Sequence, residues 1–350
     1  MYIERINKLI NSISENEGIL IINKKNCFYF SGINSSNICL YITKEKRFLI
    51  TDFRYLEVSL KNEANFEVLW KKRRIDCLKD IITEEKVFVE TDCICVDEYE
   101  LYKESLNCSF LKADDLIKKI RLYKDEKEIE FIKKAQQIAD KAFMNVLDKV
   151  KTGISESELK AELEYEMLKA GSEKPSFDTI VLFGKKTSLP HGEPDSSIKL
   201  KSNDIILIDF GATYKGYCSD TTRTFFKGEP NEKMLLAYNH VNKAHELAFS
   251  FIKNGVKGYE ADKIARDYLD ENGYENLFGH SLGHGTGLDI HEPPTLSAKS
   301  ESVLENGMTF SVEPGVYFEN EFGIRIENLC YLWEDKVNSF TKLSRDLLVI

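Results

Sequence analysis

At 350 residues, with 42% hydrophobic and 30% charged side chains, the chain has the make-up of a globular protein long enough for two domains. A formal net charge of −10 argues against nucleic acid or an anionic membrane surface as the main partner. No apolar run approaches the roughly 20 residues needed to span a bilayer.

Residues 1–10 follow an amphipathic helix pattern and lack the apolar core of a signal peptide. The 8 cysteines are scattered without a Cys-x-x-Cys pair, and Cys93 and Cys95 alternate in what reads as a strand. Reduced, mostly buried thiols and a cytoplasmic location are therefore expected. Strand patterns at 19–22, 39–42, 48–51, 66–70 and 87–90 alternate with helical ones at 72–86 and 97–106, which predicts an α/β domain over residues 1–120. Nothing in it has catalytic spacing. Arg54 reads as a strand-to-helix junction residue paired with Asp52.

A second domain is expected over 121–350, opened by a long helix at 124–150 that shields one face of its sheet. Another helix starts at Ser155, with Glu158 completing a capping box, and ends near Gly171. Helices at 231–254 and 259–272 are closed by Gly255 and Gly273. His240 and His245, on the first of these, read as surface or packing residues.

Between these helices lies the stretch on which the reading turns. The apolar run 205–208 ends on Asp209, Lys215-Gly216 signals a hairpin turn, and the return strand carries Asp220. A two-residue turn sets Tyr214 opposite Tyr217 and Gly211 opposite Asp220. Asp209 and Asp220 then become diagonal cross-strand neighbours roughly 7–8 Å apart, with Gly211 leaving the space between them free. Such a hairpin could equally carry two unrelated solvent-facing aspartates. Held together on an apolar hairpin, however, the pair stays ionised only beside a positive charge.

Further along, His191 sits in Leu-Pro-His-Gly-Glu-Pro, and His280, His284 and His291 are interleaved with Gly279, Gly283, Gly285 and Gly287. Glycines this dense imply a backbone lying close to something that tolerates no side chain. Two more strand-like runs end on Glu313 and Glu327, and a hairpin centred on Asn320 makes these two face each other. Four carboxylates and one imidazole form a hard, oxygen-rich set with too much negative charge for one divalent ion. The set suits two ions about 3.5–4 Å apart, Mn²⁺ first, with Co²⁺ or Zn²⁺ as alternatives.

In order and spacing, Asp209, Asp220, His284, Glu313 and Glu327 resemble the metal-ligand set of the pita-bread metallopeptidases, in the Xaa-Pro aminopeptidase and Xaa-Pro dipeptidase (prolidase) branch. Asn26-Cys-Phe-Tyr-Phe-Ser-Gly-Ile and Leu49-Ile-Thr-Asp-Phe-Arg-Tyr are similar to the creatinase-type N-terminal domain. The resemblance implies an α/β (α+β) chain: a creatinase-like α/β domain, then a pita-bread domain with an antiparallel sheet flanked by helices. It also implies roles. Asp209 would chelate one ion, Asp220 and Glu327 would bridge both, and His284 and Glu313 would bind the second. Glu313 would in addition move a proton. His191 and His291 would contact the scissile peptide, His280 would line the proline pocket, and Arg325 would pair with a ligand carboxylate. Asn328 departs from the acid common after the last ligand.

A homodimer acting on proline-containing peptides follows from the same resemblance. A catalytically silent peptide-binding relative would be expected to lose ligands, a creatinase-like amidinohydrolase lacks this set, and a methionine aminopeptidase lacks the N-terminal domain. Family dipeptidases often carry Arg just after the His-Glu-x-Pro run, to hold the free proline carboxylate. Here that position is Thr295, so the expectation is an aminopeptidase, with the dipeptidase as the alternative.

Overall fold

The computed structural model describes residues 1–61 and 65–350. The chain divides into two compact units, Met1–Arg121 and Leu122–Ile350. In the first, the described strands β1 (Glu17–Ile21), β2 (Ile38–Ile42), β3 (Arg47–Thr51), β4 (Glu67–Trp70), β5 (Lys86–Val89) and β6 (Ser109–Lys112) form one sheet in the order β4-β3-β2-β1-β5-β6. Helices α1 (Tyr2–Ile10), α2 (Lys24–Ser31), α3 (Leu56–Leu60), α4 (Arg74–Ile81), α5 (Val96–Ser105) and α6 (Asp114–Leu122) connect and flank it.

Three details of this unit differ from the sequence expectation. The helix expected to 86 stops at Ile81, because Ile82 turns to extended geometry. Cys93 and Cys95 lie in the turn before α5 and are exposed, so their spacing had no strand behind it. Edge strand β6 went unread because its side chains are mostly exposed, which erases the apolar alternation a strand needs to be visible. Arg54 does pair with Asp52, at 2.6 Å. All 8 cysteines are free thiols, and five of them are buried.

The second unit is built around antiparallel strands. Helices α7 (Glu126–Val146) and α8 (Glu156–Lys169) open it, each started by a capping box, Asp125 with Glu128 and Ser155 with Glu158. Strands β7 (Ile180–Phe183), β8 (Asp204–Phe210), β9 (Thr213–Tyr214), β10 (Tyr217–Cys218) and β11 (Thr221–Lys227) follow, with β8 central between β7 and β11. Beyond helices α9 (Glu232–Phe251) and α10 (Gly258–Leu269) come β12 (Gly283–Gly285), β13 (Glu292–Leu296), β14 (Thr309–Val312), β15 (Gly315–Phe318), β16 (Phe322–Arg325), β17 (Asn328–Trp333) and β18 (Lys336–Ser339). Five of these pair in the order β13-β12-β14-β17-β18, and β15 pairs with β16.

Strand alternation decides what faces the site. Ile206, Ile208 and Phe210 on β8 point into a core with Ala142 and Phe143 of α7 and Leu159, Leu163 and Met167 of α8. Phe143 stacks on Phe210 with ring centroids 5.4 Å apart. Each large side chain buried there contributes about 1.5–3 kcal/mol, which pins β8 against the helices. Asp209, between Ile208 and Phe210, must then project from the opposite face. A second core, with Val241, Ala244 and Ala248 of α9 and Ala261 and Ala265 of α10, supports Phe310 and Val312 of β14 from its own side.

Candidate metal centre

Two hairpins supply the carboxylates. In the first, Tyr214 pairs with Tyr217, and the register runs on to Thr221 opposite Phe210 and Thr222 opposite Asp209. Lys215 and Gly216 both have positive φ, 50° and 80°, the backbone a two-residue hairpin turn requires. In the second, Val312 pairs with Asn328 and Gly315 with Arg325, around Asn320 at φ 58°. Glu313 and Glu327 fall between these two ladders, and their backbones bond outward. The Glu313 N–H donates to Leu282 O at 2.8 Å, and the Glu327 N–H to Thr222 O at 3.1 Å. Those two bonds stitch the second hairpin to the His284 strand on one side and to the Asp220 hairpin on the other.

The glycines serve this close approach. A Cβ on Gly283 would lie 2.0 Å from Ser311 O, and one on Gly285 would lie 2.2 Å from Pro293 O, so β12 can sit between its neighbours only without side chains there. Gly279 has open space and needs no such explanation. Gly211 is required for a reason the hairpin pattern did not supply. Its Cβ would meet Ser219 O at 1.9 Å and Ser176 Oγ at 2.1 Å, so it makes room for the crossing backbone and not for the space between the aspartates.

The side chains converge accordingly. His284 Nε2 lies 3.5 Å from Asp220 Oδ2 and 3.4 Å from Glu313 Oε1. Asp220, His284 and Glu327 each offer one atom within 4.8 Å of the others. Arg325 Nη2 donates to Asp209 Oδ2 at 2.7 Å, Thr222 Oγ1 to Glu327 Oε2 at 2.8 Å, and Ser311 Oγ to Glu313 Oε1 at 3.0 Å. Asp209 Oδ1 and Glu327 Oε1 are buried with no hydrogen-bond partner among the described residues. Two orphaned carboxylate oxygens among hard donors fit a divalent cation, since an unpaired buried polar atom is otherwise costly.

Electrostatics agree. Burial, reinforced by Glu327, Asp209 and Glu313, pushes the Asp220 carboxyl well above its ordinary range. Burial likewise raises Glu327, with Glu313 and Asp209 adding to it. Glu313 is pushed up to about 8, mainly by burial, with Arg325 opposing and Asp209 reinforcing the rise. Arg325 offsets only part of the charge of so crowded an acidic cluster, and divalent ions would supply the rest.

Around the cluster lies a cleft of about 900 Å³, lined by these five residues together with His191, His280, His291 and Arg325. All nine residues singled out in the sequence thus share one cleft. His291 packs edge-on against His284 with ring centroids 4.3 Å apart. His280 is held in a chain that the sequence reading missed. Arg325 Nη1 donates to the Tyr317 hydroxyl at 2.7 Å, and that hydroxyl lies 3.0 Å from His280 Nε2. The His280 Nδ1 is 2.9 Å from Ser281 O, where it can donate only as N–H, leaving Nε2 to accept from Tyr317. Burial, assisted by Arg325, lowers the His280 pKa to about 3, so the ring is neutral.

Tyr317, Ser311 and Thr222 are therefore supporting residues not identified from the sequence. A signal was present for one of them: Ser311, on β14, lies two residues before Glu313 and so shares its strand phase. Asn328 accepts from Arg223 Nη2 at 2.8 Å and donates to Ser339 Oγ at 3.1 Å, so the amide is absorbed into the scaffold. His240 and His245 lie outside the cluster. The first bonds the Tyr268 hydroxyl at 3.0 Å, and the second is fully buried.

Comparison with known proteins agrees with this architecture. A sequence profile for Metallopeptidase family M24 matches residues 130–334, and one for the Creatinase/Prolidase N-terminal domain matches residues 5–123. The chain is similar to the Xaa-Pro dipeptidase of Pyrococcus furiosus, 37% identical over 350 residues and 99% of each chain. Among solved structures it is similar to an Xaa-Pro dipeptidase from Bacillus anthracis, at 37% identity and TM-score 0.96 over 100% of both chains. It is also similar to an X-Pro aminopeptidase from Thermotoga maritima, at 37% identity and TM-score 0.93 over 99% of this chain and 100% of that one.

Proposed function

This chain belongs to metallopeptidase family M24 and carries the creatinase/prolidase N-terminal domain, and from that premise we propose that it is a dinuclear Xaa-Pro dipeptidase. Relatives named as dipeptidases support this alternative better than the aminopeptidase expected from Thr295. The observation that carries the metal assignment is the pair of orphaned oxygens, Asp209 Oδ1 and Glu327 Oε1, beside the Asp220–His284–Glu327 cluster.

In this reading Asp209, Asp220, His284, Glu313 and Glu327 hold two divalent ions, Mn²⁺ first, with Co²⁺ or Zn²⁺ as alternatives. When bound, such ions supply a water nucleophile active near neutral pH and polarise the scissile carbonyl. Glu313 takes the proton from the attacking water and delivers it to the leaving proline nitrogen. Arg325 holds Asp209 in place through its 2.7 Å ion pair. His191 and His291 contact the scissile peptide. An Xaa-Pro bond has no N–H to recognise, so the ring must be admitted by shape. His280, kept neutral and fixed by Tyr317, offers a flat wall for it. A homodimer and a cytoplasmic location belong to the same reading.

The Mn²⁺-loaded protein should cleave Ala-Pro much faster than Ala-Pro-Ala and leave N-acetyl-Ala-Pro intact. A second reading, an Xaa-Pro aminopeptidase, is favoured by the absence of a cation at Thr295 and by the Thermotoga maritima neighbour. Faster cleavage of the tripeptide would select it. Hydrolysis of neither peptide would refute both.

A further inference from the structure

The first residues of the second unit hold a buried ion pair with no part in the metal centre. Lys124 Nζ lies 2.8 Å from Glu292 Oε1, and only 1% and 8% of the two side chains are exposed. Lys124 is itself anchored, its N–H donating to Gly307 O at 2.7 Å. Glu292 directly follows His291, and its second oxygen accepts from the Asp289 N–H at 3.3 Å. The carboxylate occupies the space above Gly287, where a Cβ would come within 2.4 Å of Oε1. Gly287 O in turn accepts from the Cys218 N–H at 2.8 Å, two residues before Asp220. The buried charge pair thus joins the bonds that hold segment 286–292, among them Thr286 Oγ1 to Ile290 O at 3.1 Å and Gly287 N–H to Asp289 O at 2.9 Å, and near the end of that segment the His291 ring packs on His284.

We propose that Lys124 is a positioning residue: its ion pair with Glu292 fixes segment 286–292 and so sets the orientation of the His291 imidazole in the cleft. The kinetic part rests on the reading of His291 as a group that contacts the scissile peptide. Removing the ammonium takes away the buried opposite charge that Glu292 faces, which favours a shift of the carboxylate, and of the segment carrying it, towards water. Misplacement by about 1 Å is enough to cost up to about 100-fold in rate.

The test is a double-mutant cycle on Ala-Pro hydrolysis with Lys124→Met, His291→Ala and the double variant. Lys124→Met should lower kcat by about 10- to 100-fold with little change in KM. In the His291→Ala background the same substitution should cost less than about twofold, because the group it positions is gone. Equal losses in both backgrounds, or full activity in Lys124→Met, would overturn the proposal. Glu292→Gln, which keeps the shape and removes the charge, runs the same cycle if Lys124→Met fails to fold.

An activity-independent readout separates this inference from the peptidase reading. In histidine-labelled protein, the His291 ring resonance should shift or broaden in Lys124→Met while that of His240 stays put. An unmoved His291 resonance would refute the positioning role even if the wild-type chain cleaved no Xaa-Pro peptide.

Discussion

Replacing Gly211 with alanine tests how the two aspartates are brought together. The added Cβ would sit 1.9 Å from Ser219 O, against an ordinary contact of 3.4 Å or more, so the crossing chains must part by about 1.5 Å. Hydrogen bonds across that crossing include Ser176 N–H to Gly211 O at 3.0 Å, Ser219 N–H to Ala212 O at 2.9 Å, Ala212 N–H to Ser219 Oγ at 2.9 Å, and Ser176 Oγ to Ser219 O at 2.8 Å. Overpacking costs about 1–3 kcal/mol. Each bond lost adds roughly 1 kcal/mol. With part of the bonding surviving relaxation, Gly211→Ala should destabilise by about 3–5 kcal/mol, a large share of a typical domain's stability. Because Asp220 follows Ser219, metal content after dialysis should fall as well. Urea unfolding gives the first quantity and elemental analysis the second. Gly279→Ala is the control: nothing lies within 4 Å of the added Cβ, and a change within about 0.5 kcal/mol is expected. Equal stability and equal metal content in the two variants would refute the steric argument.

Three further outcomes are expected. Asp220→Asn should lose metal affinity and activity together, read by calorimetric titration with Mn²⁺ alongside turnover, because a buried anion facing His284 at 3.5 Å is removed. Glu313→Gln should retain most of its metal but lose about 100-fold or more in kcat, since an amide still offers an oxygen but carries no proton. His245 is 1% exposed, and both its ring nitrogens lack hydrogen-bond partners among the described residues. Burial, with Arg345 and Arg223 nearby, pushes its pKa well below the usual value. Below about pH 6.5 the unfolded chain binds a proton there that the folded protein refuses, so stability should fall as pH drops. In His245→Phe the loss between pH 6.5 and 5 should be smaller, by up to about 1.4 kcal/mol per pH unit. An unchanged pH slope in chemical denaturation would show that His245 does not carry it.

Much of the site was legible in the chain because its elements are local. A two-residue turn at Lys215-Gly216 dictates the pairing of every residue behind it, and Asn320 does the same for the strands that end on Glu313 and Glu327. Strand periodicity then places carboxylates opposite apolar neighbours without any knowledge of the fold. The capping box at Ser155 marks a helix start for a similar reason, since its bonds close within three residues. What lay beyond the sequence is whatever depends on two distant segments meeting. Gly211 reads as a spacer between aspartates until the backbone of Ser219 is seen to occupy its Cβ position. Tyr317 is one aromatic among many until the fold sets it between Arg325 and His280. Lys124 and Glu292 carry no pattern in common, and their buried pairing exists only because the start of α7 packs beside the segment that bears His291. Long-range contacts of this kind are chosen by the packing of whole layers, for which a residue's own neighbours in the chain hold no code.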